Sequence, residues 1–162
     1  MGGIHTYKYD NGNIVEELNN GIVQYTYKYD SNGNKIEKNQ YLGSQLIEKI
    51  KYKYEDNGKT IEEYHYVSSG SLDKKSIYKY HNGNRVEESH YVSGGSLLMW
   101  KESCIYDSKG NKIESNIYNI NGTGGNSAYM YEYDKTGNWV KCTKFRDDKP
   151  ETITERIIKY FP

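Results

Sequence analysis

The sequence predicts an all-β fold, in which tandem β-hairpin repeats form one twisted or curled antiparallel meander sheet of about twelve to thirteen strands. Three observations predict it. A Y-x-Y-D-x-x-G-N motif or a close variant recurs six times, with its turn glycines Gly12, Gly33, Gly58, Gly83, Gly110 and Gly137 spaced 21, 25, 25, 27 and 27 residues apart. Between the turns, apolar and polar side chains alternate with the period of a strand rather than a helix. A mean hydropathy of −1.00 accompanies 19 tyrosines, a combination unlike the aromatic-poor composition of disordered chains. Together these place residues 1–162 in a single array of six hairpin units.

The units run YKYDNGNIVEE at 7–17, YKYDSNGNKIEK at 27–38, YKYEDNGKTIEE at 52–63, IYKYHNGNRVEE at 77–88, CIYDSKGNKIES at 104–115 and YEYDKTGNWVKC at 131–142. In the first and fourth, Asn11-Gly12 and Asn82-Gly83 suit a two-residue type I′ turn, whose central residues both need positive φ. The other four carry one more residue before the glycine, which suits a type I turn closed by glycine in a bulge. Both turn forms set the residue before the loop opposite the residue after it. Continuing that register without interruption pairs Tyr29 with Lys35, Lys28 with Ile36 and Tyr27 with Glu37.

On this register nearly all aromatic side chains share one face, Tyr41 with Tyr27, and Tyr64 and Tyr66 with Tyr52 and Tyr54. Val15, Ile36, Ile61, Val86, Ile113 and Val140 fall on the opposite face among lysines, whose long stems cover apolar atoms. The tyrosine face is then expected to be the better-buried side. Cys104 lies on that face and Cys142 on the other, so the two are not expected to bond. Away from the glycine turns the connections vary, as in VSSGSLDKK, VSGGSLLMW, YNINGTGGNSAY and RDDKPET, and the chain closes in a capping strand expected near 153–161.

Composition excludes several function classes. Lys and Arg number 22 against 22 Asp and Glu, so a formal charge of zero offers nothing to nucleic acid. No apolar run approaches the ~20 residues that span a bilayer, so no membrane insertion is expected, and the start has no basic segment followed by an apolar one. Two cysteines form neither a disulfide framework nor a C-x-x-C metal pair, and no cofactor or metal is expected.

The residue types suited to chemistry have simpler readings. His65 and His90 occupy the same repeat position two strands apart, roughly 10 Å, too far for shared ligation. His81 is a turn residue and His5 lies at the start. The pairs Glu16-Glu17, Glu62-Glu63 and Glu87-Glu88 invite a glycosidase reading, but adjacent strand residues point to opposite faces. Their repetition suggests cross-strand partners for lysine. The Asp-x-x-Gly-Asn turns lack the twelfth-position Glu of a calcium loop, and the Asp is explained by bonding backbone two residues on. No nucleophile motif or phosphate loop is present, and the chain is not expected to be an enzyme.

The motif Y-x-Y-D-x-x-G-N resembles the YD repeat of the rearrangement-hotspot family, and GNWVKCTKF…ITERIIKY resembles the closing repeat of short bacterial surface or secreted YD-like proteins. Glu55 and His81 replace the motif Asp in two units. The resemblance implies hairpins that coil into a shell or mediate cell-surface contact, in a secreted or bacterial cell-envelope setting. The expected function is a non-enzymatic binding or scaffold module with a protein or glycan partner. The alternatives are a structural segment of a larger shell, a toxin-associated, immunity-like protein and, more remotely, a carbohydrate-active enzyme. Curling of a sheet with native twist leaves Tyr41, Tyr66, Tyr91 and Tyr118 at a rim beside Leu97, Leu98, Met99 and Trp100. Tyr41, Tyr66, Tyr91, Tyr118 and Trp100 are therefore the candidate binding residues.

Overall fold

A computed structural model describes residues 3–160. Every regular element is a strand. In chain order they are β1 His5–Asp10, β2 Asn13–Asn19, β3 Ile22–Tyr29, β4 Lys35–Leu42, β5 Gln45–Tyr54, β6 Thr60–Val67 and β7 Leu72–His81. There follow β8 Asn84–Val92, β9 Leu97–Tyr106, β10 Lys112–Asn119, β11 Gly125–Tyr133, β12 Trp139–Arg146 and β13 Lys149–Glu155. Their order in the 13-stranded sheet is their order in the chain, from β1 at one edge to β13 at the other, so the sheet is an open antiparallel meander. Compactness divides it into two units, residues up to 78 with 89–99, and residues 79–88 with 100–160.

The turns take the forms their residues dictate. Gly12, Gly33, Gly58, Gly83, Gly110 and Gly137 all have positive φ, between 78° and 87°, and Asn11 and Asn82 join them at 47° and 48° as type I′ turns require. In the longer loops the Asp30 amide donates to the Asn34 carbonyl and the Gly33 amide to the Asp30 carbonyl, the pattern of a type I turn closed by a glycine bulge. The same two bonds recur at Glu55, Asp107 and Asp134.

One step beyond the turn the ladder departs from the expected register in five of the hairpins. Tyr29 does pair with Lys35, but Lys28 pairs with Glu37 and Tyr27 with Lys38, leaving Ile36 as an extra residue. Val15, Ile61, Ile113 and Val140 are extra in the same way in their own hairpins. A bulge of this kind sets two residues against one and changes the parity of all that follows. The expected pairs Lys28–Ile36 and Tyr27–Glu37 are thereby corrected. So is the single aromatic face.

In the first unit Tyr25, Tyr27, Tyr29, Tyr52, Tyr54 and Tyr78 lie on one face, here face A. Tyr41, Tyr64 and Tyr66 lie on the other, face B, with Lys49, Lys51 and Lys53. In the second unit Cys142 pairs with Tyr131 and so shares its face, where the uninterrupted register had placed it opposite. Cys104 pairs with Ser115, and both thiols are free.

Burial follows from this division. Tyr27, 8% exposed, is the one buried hydrophobic side chain among the described residues. The other buried groups are Glu37, Asn39, Ser76, Ser89, Ser115 and Ser127, mostly short polar residues at strand centres where longer neighbours close over them. An accessible surface of 11067 Å² exceeds the ~8300 Å² of a compact protein of 18.9 kDa, in keeping with how few described side chains are buried. The expectation of one well-buried tyrosine face is replaced by two half-solvated faces.

The connections are shorter than the sequence predicts. β7 begins at Leu72 and β9 at Leu97, so Leu97, Leu98, Met99 and Trp100 belong to a strand rather than a loop. RDDKPET forms a tight hairpin with positive φ at Asp147 and Asp148, and the last strand starts at Lys149, ahead of the expected 153. Residue 161 of the expected strand lies outside the described residues. β13 is exposed along its whole length and carries Pro150, as suits a sheet edge.

Candidate functional site

Three of the glycine turns, at Asp30, Asp107 and Asp134, are small hydrogen-bonded cages. Asp30 Oδ1 accepts the Asn32 and Asn34 amides at 2.9 Å each, and the Asn34 side chain donates to Asp30 Oδ2 at 3.0 Å. Asp107 with Asn111 repeats this arrangement, and Asp134 accepts the Thr136 and Asn138 amides. Glu55 stands one methylene too far out for it, and Asn57 takes over by accepting the Lys59 amide. These bonds hold the carboxyls of Asp30 and Asp107 below the ordinary Asp range.

Motif tyrosines clip the second, third, fifth and sixth hairpins to the one before. The carbonyl just after the turn Asn accepts a phenol from the following hairpin: Ile14 from Tyr29 at 2.9 Å, Lys35 from Tyr54 at 2.6 Å, Arg85 from Tyr106 at 2.9 Å and Lys112 from Tyr131 at 2.9 Å. Tyr133 reaches into the fifth turn instead, donating to Asp107 Oδ2 and accepting from Asn111, both at 3.0 Å. The chain end imitates it. Tyr160 donates to Asp134 and accepts from Asn138 at 2.8 Å, and this phenol leads the interactions that lower the Asp134 carboxyl to about 2. Beside it the Arg156 guanidinium lies 3.7 Å from the Trp139 ring centroid.

In four hairpins a glutamate past the turn meets a lysine, as their repetition suggests, while in the fifth Glu114 accepts from the Asn116 side chain at 2.8 Å. Lys8–Glu16 at 2.6 Å, Lys28–Glu37 at 2.9 Å, Lys53–Glu62 at 2.7 Å and Lys79–Glu87 at 2.8 Å recur through the array. The sixth hairpin reverses the charges, with Lys141 2.8 Å from Glu132. Glu62 lies on face B rather than with Tyr52, a second consequence of the bulge.

His65 lies on face A with Tyr52. Its Nδ1 is 3.0 Å from Glu48 and its Nε2 3.7 Å from Glu63, with Lys74 opposite it on β7. Glu63 and Glu48 raise its pKa above the usual value, against the opposing effects of burial and Lys74. A raised folded-state pKa stabilises fully below the unfolded value of about 6.5 and is lost as pH rises through the folded value. The wild-type melting temperature should therefore fall from pH about 6 to about 8 by more than that of His65→Gln. Parallel profiles in a thermal melt series would remove this role. Among the described residues no group of three His, Cys, Asp or Glu side chains is placed to hold a metal ion.

The candidate binding residues are divided between the two units. In the first unit Tyr41 and Tyr66 share face B, and Tyr91 joins them through Lys75, whose Nζ is 4.9 Å from its ring centroid. All three are half-buried. In the second unit Tyr118 is 54% exposed and pairs with Lys101, while Trp100 pairs with Asn119 and so points to the opposite face. Sequence reasoning missed Tyr64, whose ring is 5.1 Å from Lys53 Nζ, and the lysines that flank these rings. Ile36, Glu37, Lys51, Lys53, Tyr64 and Tyr66 line an open groove of about 480 Å³ on face B.

The fold has solved counterparts. The chain is similar to part of the crystal structure of TcdB2-TccC3-TEV, with a TM-score of 0.60 and 18% identity over 93% of this chain and 10% of that one. It is also similar to part of the Photorhabdus luminescens Tc holotoxin pore, at 0.51 and 16% over 93% of this chain and 9% of that one. A porin-like protein from Bacteroides uniformis matches at 0.57 and 10%, over 95% of this chain and 78% of that one. This chain thus spans about a tenth of the toxin chains it matches. These likenesses are of fold. No family model and no curated protein matches the sequence.

Proposed function

We propose that this chain is a non-enzymatic scaffold and binding segment of a secreted or cell-surface bacterial repeat protein of the toxin-associated, YD-like kind. The observation that carries the reading is that Tyr27 alone among the described hydrophobic side chains is buried, so neighbour-to-neighbour clips hold the hairpins and half-solvated faces are left for partners. A wall or a docking surface needs that arrangement, whereas an active site needs a water-excluding pocket. The acidic pairs support the reading, since Glu16, Glu62 and Glu87 are each held by a lysine on the neighbouring strand. Likeness to segments of Tc toxin chains supports a structural role in an assembly of that type.

The partner, a protein or a glycan, is assigned to face B around Tyr41, Tyr66 and Tyr91, with Tyr118 and Trp100 as further contacts in the second unit. Tyrosine offers a rigid apolar body with a polar tip, suited to stacking on either partner. The test is a glycan and protein array probed with the wild-type chain, Tyr66→Ala/Tyr91→Ala and His65→Ala/His90→Ala. Loss confined to the tyrosine pair is the expected result. Equal loss from both pairs, or turnover of chromogenic glycosides above background, would overturn the proposal.

A further inference from the structure

We propose that the Asn11-Gly12 turn is a site of spontaneous covalent modification, deamidation to aspartate and isoaspartate, and that the fold protects the other Asn-Gly pairs from the same reaction. The inference rests on the dipeptide the six sites share, on the bonds that hold the reacting atoms at most of them, and on the place of the first hairpin at the sheet edge.

The chain has six Asn-Gly pairs, at 11–12, 20–21, 32–33, 57–58, 82–83 and 121–122, all in turns between strands. In such a pair the glycine nitrogen can attack the carboxamide carbon of the asparagine, because glycine has no Cβ to obstruct the approach. A C–N bond forms, the side-chain nitrogen leaves as ammonia, and a five-membered succinimide results. Water then adds to either ring carbonyl and reopens the ring, as aspartate or as isoaspartate. One water is consumed and one ammonia released, without oxidant, reductant or enzyme. The local chemistry is the same at all six pairs, so the structure around each decides its rate.

At most of the pairs the reacting atoms are engaged. The Gly33, Gly58 and Gly122 amides donate to the Asp30, Glu55 and Asn119 carbonyls at 3.1, 2.9 and 3.0 Å. Asn57 Oδ1 accepts the Lys59 amide at 3.0 Å, Asn121 Oδ1 the Thr123 amide at 3.1 Å and Asn20 Oδ1 the Ile4 amide at 2.9 Å. Asn11 has neither restraint. It is exposed, and neither its side chain nor the Gly12 amide makes a hydrogen bond to a described residue.

Asn82-Gly83 shares the type I′ form of Asn11-Gly12, and position separates the two. In a two-residue hairpin both flanking strands fix the backbone, so ring closure goes through local opening. β7 and β8 stand inside the sheet order, whereas β1 has only β2 beside it. β1 is exposed along its whole length, and near the turn its ladder is supplemented by the Lys8–Glu16 pair, whose lysine is largely solvated and holds weakly. The first hairpin therefore opens at the least cost.

The modification acts on the edge itself. Both products place a carboxylate next to Asp10, and isoaspartate adds a methylene to the main chain, which displaces the Asp10–Asn13 pair that closes the turn. β1 then loses its register with β2.

The test is mass spectrometry of proteolytic peptides from the full chain, incubated at mildly alkaline pH both folded and in concentrated urea. In the folded chain Asn11 should convert at least tenfold faster than Asn82 and than each of the other four, and in urea all six should convert at rates within a few-fold of one another. Asn11→Asp should remove the fast phase of ammonia release. Hydrogen exchange of the isoaspartyl fraction should show protection lost in β1 and kept in β3 to β5. Comparable rates at Asn11 and Asn82 in the folded chain, or a tenfold preference for Asn11 that persists in urea, would overturn the inference. So would a fast phase untouched by Asn11→Asp, or an isoaspartyl chain with β1 still protected.

Discussion

Tyr54→Ala should lower the thermal midpoint by about 4–8 °C, equivalent to about 2 kcal/mol for a chain of this size. Large-to-small substitution of an aromatic in a full core costs about 3–5 kcal/mol, and Tyr54 is only half-buried, so roughly half of that applies. Part of the loss belongs to the hydroxyl. Its 2.6 Å bond to the Lys35 carbonyl joins the third hairpin to the second, and removing it leaves that carbonyl to water or unpaired. Tyr54→Phe should accordingly cost about 1 kcal/mol. Tyr9 holds the same motif position in β1, yet it is 63% exposed and has no earlier strand beside it. Tyr9→Phe should be within about 0.5 kcal/mol of wild type. Equal shifts for the two Phe variants in differential scanning calorimetry would show that the clips do not hold the repeats together.

Gly83→Val should cost about 1–2 kcal/mol or more, because Gly83 has a φ of 87° where a β-branched side chain meets its own backbone. Gly125 provides the contrast. It opens β11 without a positive φ, and a Cβ built there meets nothing within 4 Å. Gly125→Ala should be neutral or stabilising by up to about 1 kcal/mol, through the unfolded chain's lost freedom. A Gly83→Val melt matching wild type would sink the assignment of a strained turn.

Much of the fold was legible because its determinants are local. Asn11-Gly12 and Asn82-Gly83 specify their turn within two residues, and the longer Asp30 and Asp107 loops within five. The repeat length then leaves room only for strands. The pairing of glutamates with lysines was legible too, and the sixth hairpin held a further clue. Glu132 stands where the first four hairpins carry Lys8, Lys28, Lys53 or Lys79, and Lys141 stands where they carry Glu16, Glu37, Glu62 or Glu87. A charge reversal at both positions at once marks them as neighbours, which requires one residue more on the second strand than on the first. Counted that way, the bulge at Val15, Ile36, Ile61 and Val140 was present in the sequence.

The amino-acid sequence by itself determined the number of hairpins, the turn at each glycine and the absence of helix, since each depends on the φ preferences of a few adjacent residues. Only the tertiary structure decided which face each side chain takes and which tyrosine reaches the preceding turn. The reason is that side chains alternate with a period of two, so a single extra residue past the turn moves Tyr41, Tyr64 and Tyr66 from the side of Tyr27 and Tyr52 to the side of the lysines. Whether that extra residue bulges out depends on the twist of the whole ladder and on cross-strand pairs such as Lys28–Glu37, which exist only once neighbouring strands have assembled.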